Sequence, residues 1–272
     1  MGEFTLERDG VTLAGEESGE GVPVVGLHGL TATRRYVVMG SRALERSGHR
    51  LVLYDARGHG RSTPATDPSD YGYETLTADL LALLDDRGVD RAVLVGASMG
   101  THTATRFALD HGDRVAGLVL GTPAYTPEGD PTGYDRWDAL AEGLRTGGVE
   151  GFVRAYGEPK VPERWRDTVI KVLHQRLAAH EHPEAVADAI NVVPRSRAFE
   201  AWDELAELDL PTVVVASRDE ADPGHPFATG ERYAAAIPGA ELRSEEAGSS
   251  PLAWQGGQFS NVIAELASRV AA

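Results

Sequence analysis

A serine between glycines stands where a reactive hydroxyl could be presented. Ser98 is the centre of the pentapeptide Gly-Ala-Ser-Met-Gly, which follows an apolar run over 92–95 and precedes a helical pattern over 99–109. In this context the glycines permit a strained turn, and the serine stands at a helix N-terminus, where free N–H groups favour negative charge. The pattern predicts a nucleophilic serine. The alternative is a glycine-rich strand-to-helix turn with a capping serine.

The elements that must position Ser98 alternate between strands and helices. Helical patterns over 34–46, 75–87 and 99–109 separate apolar runs, and Asp-Gly at 9–10 predicts an N-terminal hairpin. Short, continuous apolar runs are typical of strands buried on both faces of a parallel sheet; they cover 22–27, 51–54, 92–95, 115–120 and 212–216. The expected fold class is α/β, with a mostly parallel, twisted sheet flanked by helices.

The alternation stops between residues 122 and 210. This segment predicts several short helices and no strand, near 134–146, 149–156, 162–180, 184–192 and 199–206. We expect a helical lid over 122–210, inserted between the fourth and fifth parallel strands of a core formed by 1–121 and 211–272. A helical subdomain with a structural role is the alternative. A helix near 227–236, a strand near 241–243 and a helix over 258–270 follow.

Two further motifs follow predicted strands and indicate a family. His-Gly-Leu stands at 28–30, and Asp-Ala-Arg-Gly-His-Gly-Arg-Ser stands at 55–62. With the serine turn, they make nearly the whole chain resemble the α/β-hydrolase fold family, in particular its lidded esterases, lactonases and cofactor-free haloperoxidases. The resemblance implies that Leu30 and Met99 provide backbone N–H donors for an oxyanion. It also implies that His28 orders this loop, and His28 and Gly29 are candidates for contact with substrate.

The same resemblance places a catalytic carboxylate in the loop after 212–216. That loop reads Ser-Arg-Asp-Glu-Ala-Asp-Pro-Gly-His-Pro over 217–226. Alignment on the His-Pro pair favours Asp222, and alignment on the strand end favours Asp219. We prefer Asp222 and keep Asp219 as the alternative. A solvated acidic loop without a catalytic role would have the same composition.

The histidine that the family carries after its last strand is missing here. Its Gly-His position reads Gly-Ser at 248–249, and the last histidine of the chain is His225. Because a serine hydroxyl without an adjacent base is a poor nucleophile, this departure puts activity in question. His225 in the acid loop could act as the base, as could His102, one helical turn after Ser98, or the histidines of the segment at 174, 180 and 182. A protein with no histidine base is the remaining alternative.

Composition restricts the partners and cofactors. The 272 residues carry a net charge of −16, which argues against binding to the anionic backbone of a nucleic acid. The chain has no cysteine, its His-Glu-His at 180–182 has the wrong spacing for one helix face, and no nucleotide-binding fingerprint is present. We therefore expect no metal and no cofactor, and a small molecule as substrate.

The same sequence carries no sign of a membrane or secretion signal. No apolar run approaches the roughly 20 residues of a spanning helix, and the N-terminus lacks the apolar stretch of a signal peptide. The expected location is the bacterial cytoplasm. Oligomeric state cannot be read from the sequence.

Two functions remain in competition. The first is a serine hydrolase acting on a small ester, lactone or thioester through Ser98. The second is a degenerate or non-hydrolytic member of the fold that binds or transforms a ligand without a complete Ser-His-Asp triad. A purely structural or partner-binding protein is a third, weaker reading, because an intact strained turn has no use there.

Overall fold

The computed structural model describes residues 2–129, 133–246, 254 and 256–271, and eight strands in these residues form one sheet. The strands are β1 (Gly2–Arg8), β2 (Val11–Ser18), β3 (Val22–Leu27), β4 (His49–Tyr54), β5 (Ala92–Ala97), β6 (Val115–Gly121), β7 (Thr212–Val215) and β8 (Glu241–Arg243). The helices are α1 (Arg35–Val38), α2 (Ala43–Arg46), α3 (Tyr73–Asp86), α4 (Met99–Asp110), α5 (Tyr134–Tyr156), α6 (Glu163–Leu177), α7 (Pro183–Val192), α8 (Phe227–Ala236) and α9 (Gly257–Val270).

The sheet order is β1-β2-β4-β3-β5-β6-β7-β8. The β1–β2 hairpin is antiparallel and joins β4 through a second antiparallel pairing. From β4 onward every pairing is parallel, as the alternation of apolar runs and helices predicts. The carboxyl ends of β3, β5 and β7 therefore point to the same edge of the sheet.

Both faces of the sheet are buried, and successive residues of a strand serve opposite cores. Leu94 packs on the side of α3, α4 and α8, whereas its neighbours Val93 and Val95 pack on the side of α1, α2 and α9. This division reflects the two-residue period of strands and explains the continuous apolar runs in the sequence. The site-bearing strand ends are thus held by a core on each side.

Helices α5, α6 and α7 lie between β6 and β7 in the chain and share a small apolar core of their own. Its members are Leu140, Ala141, Leu144, Phe152, Leu177, Val186, Ala187 and Ile190. The side chain of Leu30 packs against both this cluster and the main core. We call residues 122–210 the insert. No helix among the described residues is both long and apolar enough to cross a membrane.

Two helical segments differ from the expectation. The helix predicted over 34–46 is broken into α1 and α2, because Met39 and Gly40 adopt left-handed backbone angles, with φ of 48° and 74°. The helices predicted over 134–146 and 149–156 agree with α5, which divides into two helices at Gly148, where the backbone is non-helical with a φ of 57°. The helix predicted over 199–206 is a 3-10 helix, Trp202–Glu207.

Candidate active site

Ser98 occupies the turn between β5 and α4, and its backbone is strained. Its φ of 50° and ψ of −115° lie in a region that residues other than glycine rarely occupy. A Cβ on Gly96 would lie 2.3 Å from the Thr101 nitrogen, and one on Gly100 would lie 2.2 Å from the Leu27 oxygen. Because both glycines touch backbone, a side chain at either position would displace the turn that presents the Ser98 hydroxyl.

The Ser98 hydroxyl contacts the imidazole of His225. His225 Nε2 lies 2.8 Å from Ser98 Oγ, and His225 Nδ1 lies 2.8 Å from each carboxylate oxygen of Asp222. An ionised carboxylate can only accept, so Nδ1 carries the proton and Nε2 offers its lone pair to the hydroxyl. Chemically, this arrangement can move the Ser98 proton to His225 while Asp222 holds the imidazole in the required tautomer.

A tight turn in the loop between β7 and α8 brings the carboxylate and the imidazole together. Residues 222–225 read Asp-Pro-Gly-His, with the turn-forming Pro and Gly in the middle, and the His225 N–H donates to the Asp222 carbonyl oxygen over 3.3 Å. Burial alone would raise the pKa of Asp222. The hydrogen bond from His225 and the charges of His225 and Arg176 outweigh burial and hold that pKa below its ordinary value.

Asp219, the alternative acid, has a different partner. Its Oδ1 accepts the N–H of Ala221 at 2.7 Å, and within the described residues it makes no hydrogen bond to His225. Burial raises the pKa of Asp219, and the neighbouring charge of Asp222 adds to that rise. Of the two carboxylates considered from the sequence, Asp222 is the one that contacts the imidazole.

Leu30 and Met99 border Ser98 through their backbone. Met99 is the first residue of α4, so its N–H has no acceptor within the helix. Leu30 follows Gly29, and a Cβ on Gly29 would lie 3.4 Å from the Ser98 Cβ. The backbone at Met99 and at the residue before Leu30 therefore lies beside Ser98.

His28 is buried, and its contacts favour ordering of the loop over contact with a substrate. It is 2% exposed, and both ring nitrogens bond to backbone. Nδ1 donates to the Gly29 oxygen at 2.8 Å, and Nε2 accepts the Ala56 N–H at 2.9 Å. Burial lowers the pKa of His28 well below its ordinary value, so the ring is neutral. By holding the Gly29 carbonyl, His28 orients the peptide whose N–H belongs to Leu30.

Two more buried histidines contact backbone carbonyl groups of the Leu30 loop. His59 Nε2 lies 2.6 Å from the Leu30 carbonyl oxygen. His180, between α6 and α7, accepts the Gly60 N–H at 2.9 Å and contacts the Thr31 carbonyl oxygen at 3.2 Å. The insert is therefore tied directly to the loop that carries Leu30.

The remaining candidate bases have other partners. His102 is buried beneath the turn, where its Nδ1 bonds to the Tyr73 hydroxyl and its Nε2 accepts the N–H groups of Ala124 and Tyr125, each at 3.0 Å. Burial lowers the pKa of His102 to about 3. His174 and His182 pair with glutamates of the insert, 150 and 184, at 3.5 Å. Among the described residues, the imidazole at the Ser98 hydroxyl is that of His225.

The position where the family carries its histidine, Ser249 in the pair at 248–249, lies outside the described residues. The clue to His225 was nonetheless present in the sequence. Pro and Gly at 223–224 predict a β-turn, and a β-turn brings its first and fourth residues, Asp222 and His225, together. The turn residues of this loop therefore predict that the Asp222 carboxylate and the His225 imidazole lie close together.

Comparison with known proteins gives a consistent result. The chain is 29% identical over 269 residues to the non-heme chloroperoxidase CPO-A1 of Kitasatospora aureofaciens. The aligned region covers 90% of this chain and 91% of that protein. A thermophilic esterase from Thermogutta terrifontis superimposes over the full length of both chains with a TM-score of 0.81 and 26% identity. Est816, described as an enzyme that degrades N-acyl homoserine lactones, has a TM-score of 0.74 and 26% identity over 97% of this chain and 99% of its own.

The family model for the alpha/beta hydrolase fold matches residues 22–160, a stretch that begins at β3 and runs through the Leu30 loop, the Ser98 turn and α5. The sheet order, the strained serine turn and these relatives agree with that match. The chain belongs to the α/β-hydrolase fold family.

Proposed function

We propose that the protein is a serine hydrolase that cleaves a small ester, lactone or thioester, with Ser98 as nucleophile, His225 as general base and Asp222 as the orienting acid. The observation that carries the proposal is the unbroken chain of contacts from Ser98 Oγ through both ring nitrogens of His225 to Asp222, each 2.8 Å long. The relatives that are esterases or degrade a lactone support the type of bond cleaved.

Acylation begins when Ser98 Oγ attacks the substrate carbonyl carbon as His225 Nε2 takes the hydroxyl proton. Negative charge develops on the carbonyl oxygen, which the N–H groups of Leu30 and Met99 stabilise; one such donor typically contributes about 10²–10³ in rate. The imidazolium then gives its proton to the leaving oxygen or sulfur as the bond to the carbonyl carbon breaks. The products of this half-reaction are an acyl-serine and a free alcohol or thiol, or a ring-opened chain for a lactone.

Deacylation repeats the steps with water in place of the hydroxyl. His225 removes a proton from water, the resulting nucleophile attacks the acyl carbon, and the proton returns to Ser98 Oγ as the carboxylic acid leaves. Asp222 stabilises the imidazolium in both halves, and its lowered pKa keeps it ionised at neutral pH.

In this proposal the insert over 122–210 is a lid on the core formed by 1–121 and 211–272. Its support is the contact of His180 with the Leu30 loop and the packing of Leu30 against the apolar cluster of the insert. A lid at this position would exclude water from the acyl-serine except for the molecule that hydrolyses it.

The competing function, a fold member without a complete triad, depended on the absence of a base. The position of His225 removes that reason, because an imidazole held by a carboxylate stands within hydrogen-bond distance of the nucleophile. The hydrolase is therefore the better-supported function.

A fluorophosphonate probe tests the proposal, because it reacts with serines that an adjacent base has activated. We expect labelling of Ser98, identified by peptide mass spectrometry, and hydrolysis of p-nitrophenyl acetate or butyrate. Ser98→Ala should abolish labelling, and His225→Ala should slow both labelling and turnover by about 10⁴-fold or more.

His174→Ala is the matched control, since it removes a half-exposed histidine of the insert that pairs with Glu150. It should react as the wild type does. Labelling of His225→Ala at the wild-type rate would show that another group activates Ser98. Absence of both labelling and turnover in the folded wild type would contradict the hydrolase itself.

A further inference from the structure

Arg176, on α6 of the insert, borders the nucleophile. The point at which a Cβ on Gly29 would stand lies 3.4 Å from the Ser98 Cβ and 3.8 Å from Arg176 Nη2. The guanidinium and the serine therefore line the same small space beside the Leu30 loop. The steps proposed for hydrolysis use this positive charge only through its effect on the pKa of Asp222.

The charge of Arg176 lacks a partner among the described residues. Its Nε is buried without a hydrogen-bond acceptor, and the side chain forms no ion pair there. Tyr36 offers only a distant ring, with its centroid 6.0 Å from the guanidinium carbon. Burial lowers the pKa of Arg176, while Asp222 and Tyr36 act against that fall. Asp222 is thus close enough to influence the pKa of Arg176, but both of its carboxylate oxygens accept from His225 Nδ1.

This condition sets Arg176 apart from the other arginines of the chain, all of which lie within the described residues. Most of them form ion pairs. The others without an ion pair are exposed to solvent, where an isolated charge is well hydrated: Arg35, Arg46, Arg91, Arg136, Arg154 and Arg218. Arg176 alone in this group is partly buried, and its Nε is shielded from solvent, where an unpaired polar group costs free energy.

The remaining charged or titratable groups around Arg176 cannot supply the missing anion. His28 and His180 are the other groups whose pKa its charge lowers, and burial keeps both rings neutral. The planar guanidinium fork matches a carboxylate, which can accept two parallel N–H bonds. A bound carboxylate would satisfy the buried nitrogen and neutralise the charge beside Ser98.

We infer that Arg176 is a specificity-determining residue that binds a carboxylate of the substrate, so that the preferred substrates are monoanionic esters, lactones or thioesters. This inference rests on the proposed hydrolase function for the bond that is cleaved. The net charge of −16 repels anions at long range, so selection for the carboxylate depends on this local contact.

Matched esters test the inference. p-Nitrophenyl hydrogen succinate and p-nitrophenyl butyrate have acyl chains of the same length and differ by a terminal carboxylate. 4-Acetoxybenzoate and its methyl ester place the same difference in the leaving group, so the two pairs show on which side of the bond the carboxylate binds. We expect wild-type kcat/KM to favour the anionic member of one pair, and Arg176→Met to reduce that preference by about 10- to 100-fold.

Two further variants separate recognition from structure. Arg176→Lys keeps the charge but loses the fork, and it should retain part of the preference with a higher KM. Arg154→Met removes an exposed arginine of the same insert that forms no ion pair with the described residues, and it should leave the kcat/KM preference unchanged in both pairs of esters. Arg176→Met should also keep or raise the melting temperature, because it removes an uncompensated charge, and a fall would reveal a structural partner. An unchanged preference in Arg176→Met, or equal losses on both members of each pair, would overturn the inference.

The two proposals can fail separately. Fluorophosphonate labelling of the wild type reports the activation of Ser98 independently of anion binding, because the probe carries no carboxylate. In the Ser98→Ala background, calorimetric binding of monomethyl succinate should exceed that of dimethyl succinate and should depend on Arg176. Binding of this kind without labelling or turnover would contradict the hydrolase only. Turnover of p-nitrophenyl butyrate without a preference for the anionic ester in either pair would contradict the role of Arg176 only.

Discussion

The two carboxylates of the β7–α8 loop differ in one contact, and that contact gives them different roles in the proposed mechanism. Asp222 accepts from His225 Nδ1, whereas Asp219 accepts from the backbone of Ala221. Asp222→Asn would present an amide that can donate to Nδ1, which favours the wrong tautomer, with Nε2 protonated toward Ser98. We expect turnover to fall by roughly 10⁴-fold, as loss of the orienting carboxylate does in serine proteases.

Asp219→Asn is the matched control for this prediction. The amide oxygen can still accept the Ala221 N–H, so kcat should stay within a few-fold of the wild type. The measurement is steady-state hydrolysis of p-nitrophenyl acetate by both variants, with circular dichroism to verify folding. A larger loss in Asp219→Asn than in Asp222→Asn would reverse the assignment of the acid.

Residue types and local spacing were sufficient to predict the strained turn at Ser98, and the turn residues Pro223 and Gly224 would also have paired Asp222 with His225. The role of Arg176 could not be predicted in this way. An arginine in a helix has the same local signature whether its guanidinium meets a carboxylate or not. Its lack of a partner depends on every residue that the fold brings near it, from the Leu30 loop to the β7–α8 loop. Unpaired charges are therefore found in the structure and not in the sequence.

At the scale of elements, the packing of α4 against the end of β3 determines whether the serine turn can form. Gly100 lies so close to the Leu27 backbone that an added Cβ would stand 2.2 Å from its carbonyl oxygen and 2.8 Å from its Cβ. Gly100→Ala should therefore shift α4, lower the stability by about 1–3 kcal/mol and abolish fluorophosphonate labelling. Thermal unfolding and the labelling rate measure the two effects.

Gly112→Ala gives the comparison, because a Cβ at that position meets nothing within 4 Å and the backbone there is not left-handed. This variant should keep the wild-type labelling rate and a stability within about 0.5 kcal/mol of it. Wild-type labelling by Gly100→Ala would mean that the turn tolerates a displacement of α4.

The sequence predicted the strands and helices correctly where a single local pattern, such as an apolar run, determines the element. Strands buried on both faces produced unbroken apolar runs; β3 and β7 were predicted to within one residue at each end, and β5 to within two. The helix predicted over 34–46 was wrong at its centre because a period of 3.6 says nothing about a left-handed residue. Met39 and Gly40 turn the chain there, and the glycine was the available warning. The association of α5, α6 and α7 around a shared core depends on tertiary contacts that periodicity does not contain.

At the scale of the whole molecule, buried neutral histidines connect the core, the loops and the insert. His28, His59, His102 and His180 all bond to backbone groups of other segments, and burial lowers the pKa of each. For His102 and His180 the value falls to about 3. In the unfolded chain these rings regain a pKa near 6.5. Their protonation therefore couples unfolding to pH.

The sign of the coupling follows from proton binding. Between about pH 6.5 and pH 3, the unfolded chain binds protons that the folded protein rejects, so acid favours unfolding throughout that window. Each unit of pKa difference corresponds to about 1.4 kcal/mol, so two such rings can remove several kcal/mol of stability. We expect the free energy of unfolding, measured by urea titration, to be flat above pH 7 and to fall steadily below pH 6.5.

His102→Gln separates this effect from general acid sensitivity. Glutamine can accept from the Ala124 or Tyr125 N–H through its oxygen, but it has no proton to gain in this range. The variant should be less stable at pH 8, because the ring packs beneath the Ser98 turn, yet its stability should fall less steeply between pH 6.5 and pH 4. His174→Gln, on the half-exposed face of the insert, should keep the wild-type slope. Equal slopes in wild type and His102→Gln would mean that the buried ring takes up its proton without unfolding, which its three contacts to Tyr73, Ala124 and Tyr125 oppose.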